Sequence, residues 1–211
     1  MRTVRLNKAS YGKVLSAAQR TLRWGGTVVA PTDTVYGILG DATKTEVIKK
    51  IFAMKGRPKQ KALPIFVKDI AAARKYAYIS DAKTKFLERI WPGPITVVFN
   101  HKEKLPKVLA GKEDTIAIRI PKHPLILELS ARLDFPLVQT SANISNKPPA
   151  KDMKEIKSYF SKARVKPNLV ISSGKITGQS STVIDYTGKE PIILRTGPMS
   201  RTELDRMLSS F

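Results

Sequence analysis

The chain has 211 residues, 38 of them Lys or Arg against 17 Asp or Glu, for a formal net charge of +21. That length suits one sizeable domain with a core that needs no staples, and the absence of cysteine excludes disulfides, thiolate catalysis and cysteine-held metals. The N-terminus, MRTVRLNKAS, is basic with no apolar stretch behind it, unlike a secretory leader, and no apolar run approaches the length of a membrane span. The expectation is a soluble cytoplasmic protein without membrane contact. The positive charge favours polyanions such as nucleotides or RNA. A lysine-rich solvated surface accounts for it equally well, because the charge is spread along the whole chain.

In chain order, Tyr11, Val14, Leu15, Ala18 and Leu22 form one helical stripe that Gly25-Gly26 ends. A strand follows over 27–30. Thr43-Lys44-Thr45-Glu46 has the capping-box pattern, opening a helix with Val47, Ile48, Ile51 and Phe52 inward that ends near Lys55-Gly56-Arg57-Pro58. Residues 63–67 read as a strand, 69–77 and 81–90 as helices, Trp91-Pro92-Gly93-Pro94 as a stop and 95–99 as a strand. Residues 100–114 read as a charged loop, 115–120 as an alternating strand, 125–133 as a helix and 136–139 as a short strand. Beyond the loop at Lys147-Pro148-Pro149 come a basic helix over 152–160, strands at 168–171, 181–186 and 191–195, and a short helix from Arg201. Helices and strands mix without a linker, and several strands are joined too tightly for a purely parallel sheet. The predicted fold class is α/β: a single domain over 1–211, in which helices cover a mixed sheet.

Polar clusters recur where strands end. The run APTDTVYGI, residues 30–38, leaves a buried strand with two hydroxyls, a carboxylate and a phenol. Lys55-Gly56-Arg57 fits a helix C-cap or a phosphate clamp. Thr140-Ser141-Ala142-Asn143 fits an N-cap or turn, or a close approach of backbone N–H groups to an anion. A glycine-serine loop from Gly178 feeds a strand ending at Asp185, and Arg195 ends another apolar strand. Arg119 lies at even spacing from Ala117 and Thr115, which suits a cleft wall or a solvated sheet face equally. His101 and His123 share no metal-ligand spacing and are expected at the surface.

Taken in order, APTDTVYGI, KGRPKQKALPIFV, WPGPITVVF, IAIRIPKHP, QTSANISNKPP, STVID and ILRTG resemble the YrdC family. The likeness runs from the first helix to about Gly197, and the ordered set is specific where each motif alone is weak. It implies a three-layer α/β domain whose strongly twisted mixed sheet forms a large basic cleft. It also implies a nucleotidyltransferase, an L-threonylcarbamoyladenylate synthase serving the threonylcarbamoyladenosine modification of tRNA. By motif position, Thr34, Arg119 and Ser181 are the expected L-threonine contacts. Arg57, Thr115, Ser141, Asn143 and Arg195 are the expected ATP contacts, with Lys55 and Arg57 the catalytic cations facing the phosphates. Some relatives have Asn where this chain has Lys61 and His where it has Phe66. The chain ends at Phe211 and so resembles the short form without a second domain.

The implied substrates are L-threonine, bicarbonate and ATP, with Mg²⁺ expected to accompany ATP. Candidate partners are tRNA and the proteins of the threonylcarbamoyl-transfer machinery. N-carboxy-threonine is already an anion, so its attack on the α-phosphorus requires positioning and charge stabilisation and no strong base. The first motif is then the lip of a cleft, with its hydroxyls on the amino acid, Gly37 turning the chain and Tyr36 packing beside the ligand. The alternatives are an RNA-binding module without activity, supported by the charge and the cleft, and an enzyme of related fold with another substrate.

Overall fold

Val28 and Ala30 point into one apolar cluster, and Val29, between them, points into another. The same split recurs at Leu137 and Val138, and at Leu169, Val170 and Ile171. Side chains that alternate with a period of two between two apolar layers place a sheet between helices. The computed structural model describes residues 1–56, 62–111, 114–199 and 201–208.

The chain begins with β1 (Arg2–Arg5), α1 (Tyr11–Arg23), β2 (Val28–Ala30), β3 (Gly37–Asp41), α2 (Thr45–Lys55), β4 (Ile65–Phe66) and α3 (Ile70–Tyr76). It continues with α4 (Asp81–Ile90), β5 (Ile95–Asn100), a 3-10 turn (Lys107–Leu109), β6 (Thr115–Arg119), α5 (Pro124–Arg132) and β7 (Leu137–Ser141). The last third holds α6 (Met153–Phe160), β8 (Leu169–Ser172), β9 (Thr182–Asp185), β10 (Ile192–Arg195) and α7 (Arg201–Leu208). The strands form one sheet in the order β1-β8-β2-β3-β7-β4-β6-β5-β9-β10. Parallel pairs (β1 with β8, β4 with β6, β5 with β9) mix with antiparallel ones (β2 with β3, β3 with β7, β5 with β6). This is the mixed α/β architecture expected. Helices α1 and α5 cover one face through Leu15, Leu22, Leu125 and Leu129. Helices α2, α4 and α6 cover the other through Ile48, Ile51, Phe86, Leu87, Ile156 and Phe160.

Two strands lie outside the sequence-based expectation. β1 (RTVR) has a single apolar residue, Val4, half-buried against the cluster under α1, too little for a period to show, and backbone pairing to β8 makes it a strand, extended by Arg2 N to Asn168 O (3.1 Å) and Leu6 N to Ser172 O (2.7 Å). β3 reads GILGD, a sequence broken by two glycines and an acid, yet it is fully buried between β2 and β7. Gly37, expected to turn the chain, is instead the first residue of this strand and pairs with Ala30 and Ser141.

The capping box is also corrected. Thr43 gives its hydroxyl (2.6 Å) and its N–H (2.8 Å) to Asp41 Oδ1, so it is not free to cap α2, whose N-cap is Lys44 with no side-chain cap bond. The Asp at the strand end has taken the hydroxyl that the helix would have used.

The loop expected over 100–114 contains the 3-10 turn, and it buries Leu105 and Leu109. His101, expected at the surface, is 7% exposed because its N–H bonds Asp114 O (2.8 Å) and draws the ring under the loop. Its Nε2 is buried without a hydrogen-bond partner among the described residues, and the Nδ1 of half-buried His123 is in the same position.

Burial holds both imidazoles below their ordinary pKa, against a smaller upward pull from Glu103 and Asp114 at His101 and from Asp33 at His123. A depressed histidine is neutral in the folded chain where the unfolded chain is already protonated, so stability is complete above the unfolded value and falls as pH drops through it. The melting temperature should therefore decline on acidification below about pH 6.5. The decline should be shallower in His101→Leu, as measured by thermal unfolding across a pH series. An equal slope in the variant would show that His101 does not carry the effect.

Candidate active site

The apolar cluster beneath α1 and α5 reaches Phe66 on β4 and includes no residue of β6, β5 or β9. Past that edge the same sheet face continues uncovered. On β5, β6 and β9, Val97, Ile116, Ile118 and Ile184 belong to the opposite cluster, so their neighbours Thr96, Ala117, Arg119 and Val183 point the other way. Those four line a cleft of about 250 Å³. Its other walls are Thr34 after β2, Thr140 and Ser141 ending β7, Ser180 and Ser181 before β9, and Arg195 on β10. Hydroxyls and two arginines dominate the wall. No acidic side chain lines it among the described residues.

Arg119 is 2% exposed and is among the largest fully buried side chains of the described residues. Its guanidinium is the hub of the site. Nε donates to Gly93 O (2.8 Å), Nη1 to Thr34 Oγ1 (3.1 Å) and Nη2 to Asp33 Oδ1 (2.6 Å). Phe66, its register partner on β4, lies 5.7 Å from the guanidinium carbon across the ring face. Burial lowers its pKa, and Asp33 opposes that by charge and hydrogen bond. A guanidinium stays protonated in either case. The solvated-face reading of Arg119 is excluded, because a charge this deep persists only when paired and hydrogen-bonded.

The run APTDTVYGI supplies two of those partners and holds itself in place. Thr32 donates its hydroxyl to Val35 O (2.6 Å) and accepts the N–H groups of Thr34 (3.1 Å) and Val35 (3.2 Å), closing a local turn. Thr34, 2% exposed, stands 3.0 Å from the Thr32 hydroxyl. The segment before β9 crosses directly over it, and Gly178 is required there because a Cβ would collide with the Thr34 carbonyl oxygen. Tyr36 does not pack beside a ligand. It is fully buried, donates to Gly174 O (2.7 Å) and accepts the Ser173 N–H (2.9 Å), so it ties that crossing segment to β3.

Lys55 differs from expectation. Gly56 closes α2 in the left-handed conformation (φ 56°), as a C-cap glycine should. The lysine before it is 3% exposed and does not line the cleft. Its ammonium donates to Ser141 O (2.7 Å), Asn143 O (3.1 Å) and Asn143 Oδ1 (2.7 Å). Asn143 in turn receives the Ser141 hydroxyl (2.6 Å) and donates to Ile144 O (3.0 Å) and Lys147 O (2.5 Å). Lys55 and Asn143 thus form the bracket that shapes the turn after β7, and of that set Ser141 reaches the cleft. Arg57 and Lys61 lie outside the described residues.

Across the cleft, Arg195 bonds Ser181 O through Nε (3.2 Å) and Nη2 (2.7 Å), while the Ser181 hydroxyl meets Thr96 Oγ1 at 2.8 Å. Burial lowers the pKa of Arg195 without discharging it. Thr115 shares the face of Ala117 and Arg119 but lies beyond the cleft wall. The sequence reading assigned no role to Asp33, Thr96 or Thr140. Thr96 had a signal, a lone hydroxyl in the apolar strand ITVVF, whereas Asp33 was hidden by its aptness as a turn residue.

The family model described as "Telomere recombination", covering Sua5, YciO and YrdC, matches residues 20–197. The chain belongs to this family. Similar proteins include the threonylcarbamoyl-AMP synthase of Pyrococcus abyssi, 34% identical over 89% of this chain and 55% of that protein. The putative threonylcarbamoyl-AMP synthase of Methanocaldococcus jannaschii is 35% identical over 95% and 94%. The chain therefore spans about half of the first relative and nearly all of the second. Among solved structures, P. abyssi Sua5 complexed with L-threonine superposes with a TM-score of 0.87 at 32% identity, over 98% of this chain and 60% of that one.

If Lys55 faced solvent and phosphate, removing its charge would leave stability unchanged. The bracket predicts otherwise: Lys55→Met should cost about 2–4 kcal/mol, because several buried oxygens lose a charged donor. Exposed Lys154→Met should stay within about 0.5 kcal/mol. Urea unfolding of the two variants measures the difference.

Proposed function

We propose that this protein is an L-threonylcarbamoyladenylate synthase, converting L-threonine, bicarbonate and ATP to threonylcarbamoyl-AMP and pyrophosphate for the threonylcarbamoyladenosine modification of tRNA. The observation that carries the reading is the buried Arg119 guanidinium at the wall of a hydroxyl-lined cleft that no carboxylate lines among the described residues. Such a wall suits a small polar zwitterion and a polyanion together, and the fold is shared with a relative crystallised with L-threonine.

In this reading Arg119 takes the threonine carboxylate, and the Thr34 and Ser181 hydroxyls take its polar groups. Ser141, Arg195, Thr115 and Arg57 serve ATP, and Lys55 with Asn143 holds Ser141 in position. Threonine and bicarbonate give N-carboxy-threonine, the amine nitrogen bonding the bicarbonate carbon as one bicarbonate oxygen leaves as water; its carboxylate oxygen then forms a bond to the α-phosphorus as the bond to the β-phosphate oxygen breaks. Pyrophosphate leaves with the electron pair. The attacking group is already anionic, so the absence of a histidine from the described cleft wall is no obstacle. The arginines and hydroxyls lower the barrier by positioning and by opposing the charge that collects on the leaving group. Mg²⁺ fits this scheme as part of the nucleotide, since the described residues hold no group of three His, Asp or Glu able to bind a metal. No helix among them is long and apolar enough to cross a membrane. The setting we propose is cytoplasmic, with the chain working as a single domain beside tRNA and the threonylcarbamoyl-transfer proteins.

Pyrophosphate release should require L-threonine and bicarbonate together. Serine should be the nearest competitor, since a missing methyl group is worth roughly 1–3 kcal/mol in a fitted pocket. Release that is indifferent to the amino acid overturns the assignment, and salt-sensitive RNA retention without any turnover favours the binding-module alternative.

The same scheme makes Arg119→Ala a selective lesion. It should weaken threonine binding by about 1.5–3 kcal/mol and ATP binding much less. Calorimetry on the folded variant reads both affinities, and unchanged threonine affinity refutes the role.

A further inference from the structure

The scheme above places two anions, a triphosphate and an amino-acid carboxylate, in one cleft with two arginines, and it gives no work to Asp33. The arginines differ in one respect. Arg195 makes its bonds to the neutral carbonyl of Ser181 and has no carboxylate partner among the described residues. Arg119 is paired with a carboxylate through the 2.6 Å contact to Asp33 Oδ1.

Asp33 is itself fixed. Its second oxygen accepts the Lys122 N–H at 3.0 Å, which anchors it to the chain leaving β6, the strand that carries Arg119. With Nε on Gly93 O, Nη1 on Thr34 and the fork over Phe66, the Asp33 contact completes a rigid plane. A carboxylate is read by a planar fork held in advance. Pairing also leaves the Arg119 end of the cleft close to neutral and the Arg195 end cationic. A triphosphate gains most at an uncompensated cation, whereas a single carboxylate gains from geometry at a compensated one.

We propose that Asp33 is a positioning residue that sets specificity, reserving Arg119 for the monocarboxylate of the amino acid and keeping phosphate groups at the Arg195 end. This rests on the function proposed above.

The test uses the full chain, with product counted as labelled threonylcarbamoyl adenylate and inorganic tripolyphosphate as the polyanion probe. In the wild type, tripolyphosphate should compete with ATP and not with threonine. In Asp33→Asn, which removes the charge and replaces one of the two acceptor oxygens with an NH2 donor, the threonine KM should rise about 10-fold or more, while the ATP KM changes less than about 2-fold. Tripolyphosphate should now compete with threonine, and kcat at saturating threonine should be retained. Asp33→Glu restores the charge with a longer reach, so it should abolish that competition while recovering threonine affinity only in part. A merely structural Asp33 would instead lower the melting temperature and alter both KM values together, without changing the inhibition pattern. That result, or wild-type kinetics in Asp33→Asn, overturns the proposal. Calorimetric titration of threonine with and without tripolyphosphate reads the same effect without turnover. If the wild type is inert but binds threonine, the function fails and the titration decides the role of Asp33. If the wild type binds no threonine, both fall.

Discussion

A guanidinium taken out of water needs all its donors directed and its charge answered, and much of the site's architecture follows from meeting that need at Arg119. Two separate segments deliver oxygens to it, the turn after β2 through Thr34 and Asp33 and the Trp91–Pro94 stop through Gly93, while the strand's own exit fixes Asp33 through the Lys122 N–H. The stop before β5 is thus more than a helix terminator, since Gly93 both donates to Ile120 O (2.9 Å) and accepts from Arg119. Phe66 contributes a ring face beneath Arg119. An aromatic face fits beneath a cation that already has a carboxylate in its plane.

A second buried cation, Lys55, follows the same logic with a different outcome. Its oxygens come from the turn after β7, so its charge holds the backbone of that turn in shape. The two cases separate the functions that one would assign to any cation in a motif. The two cations match in depth and in the number of oxygens around them; what differs is place, since Arg119 lines the cleft and Lys55 stands behind its wall, and place is not visible in residue type.

Much of the architecture was legible in the sequence because most helices and strands carry an apolar period. The parts that were not legible are those in which the period is absent. β1 has its ladder and one half-buried valine, Val4, and β3 is a buried strand whose glycines and terminal Asp mimic a turn. The site was legible as a set of positions: Thr34, Arg119, Ser141, Ser181 and Arg195 do converge on one cleft. Their orientations were not, because they depend on contacts between residues far apart in the chain. Lys55 and Asn143 turn to each other across 88 positions, and Tyr36 turns away from the cleft to meet a carbonyl 138 positions on. Local pattern contains no information of that range. Thr43 was misread for a nearer reason, since Asp41 competes for the same hydroxyl.

The segment crossing over Thr34 has a consequence for synthesis of the protein. Tyr36 and Thr34 belong to the first fifth of the chain, yet they are closed over by Ser173, Gly174 and Gly178. β8 also inserts between β1 and β2, parallel to both. A nascent chain emerging from the ribosome therefore carries the Thr34 side of its cleft as an open, unpaired edge until nearly all of it has been made. Closing loops this long is a slow step in folding. The cleft is complete only once Gly178, Ser181 and Arg195 have been added to the chain.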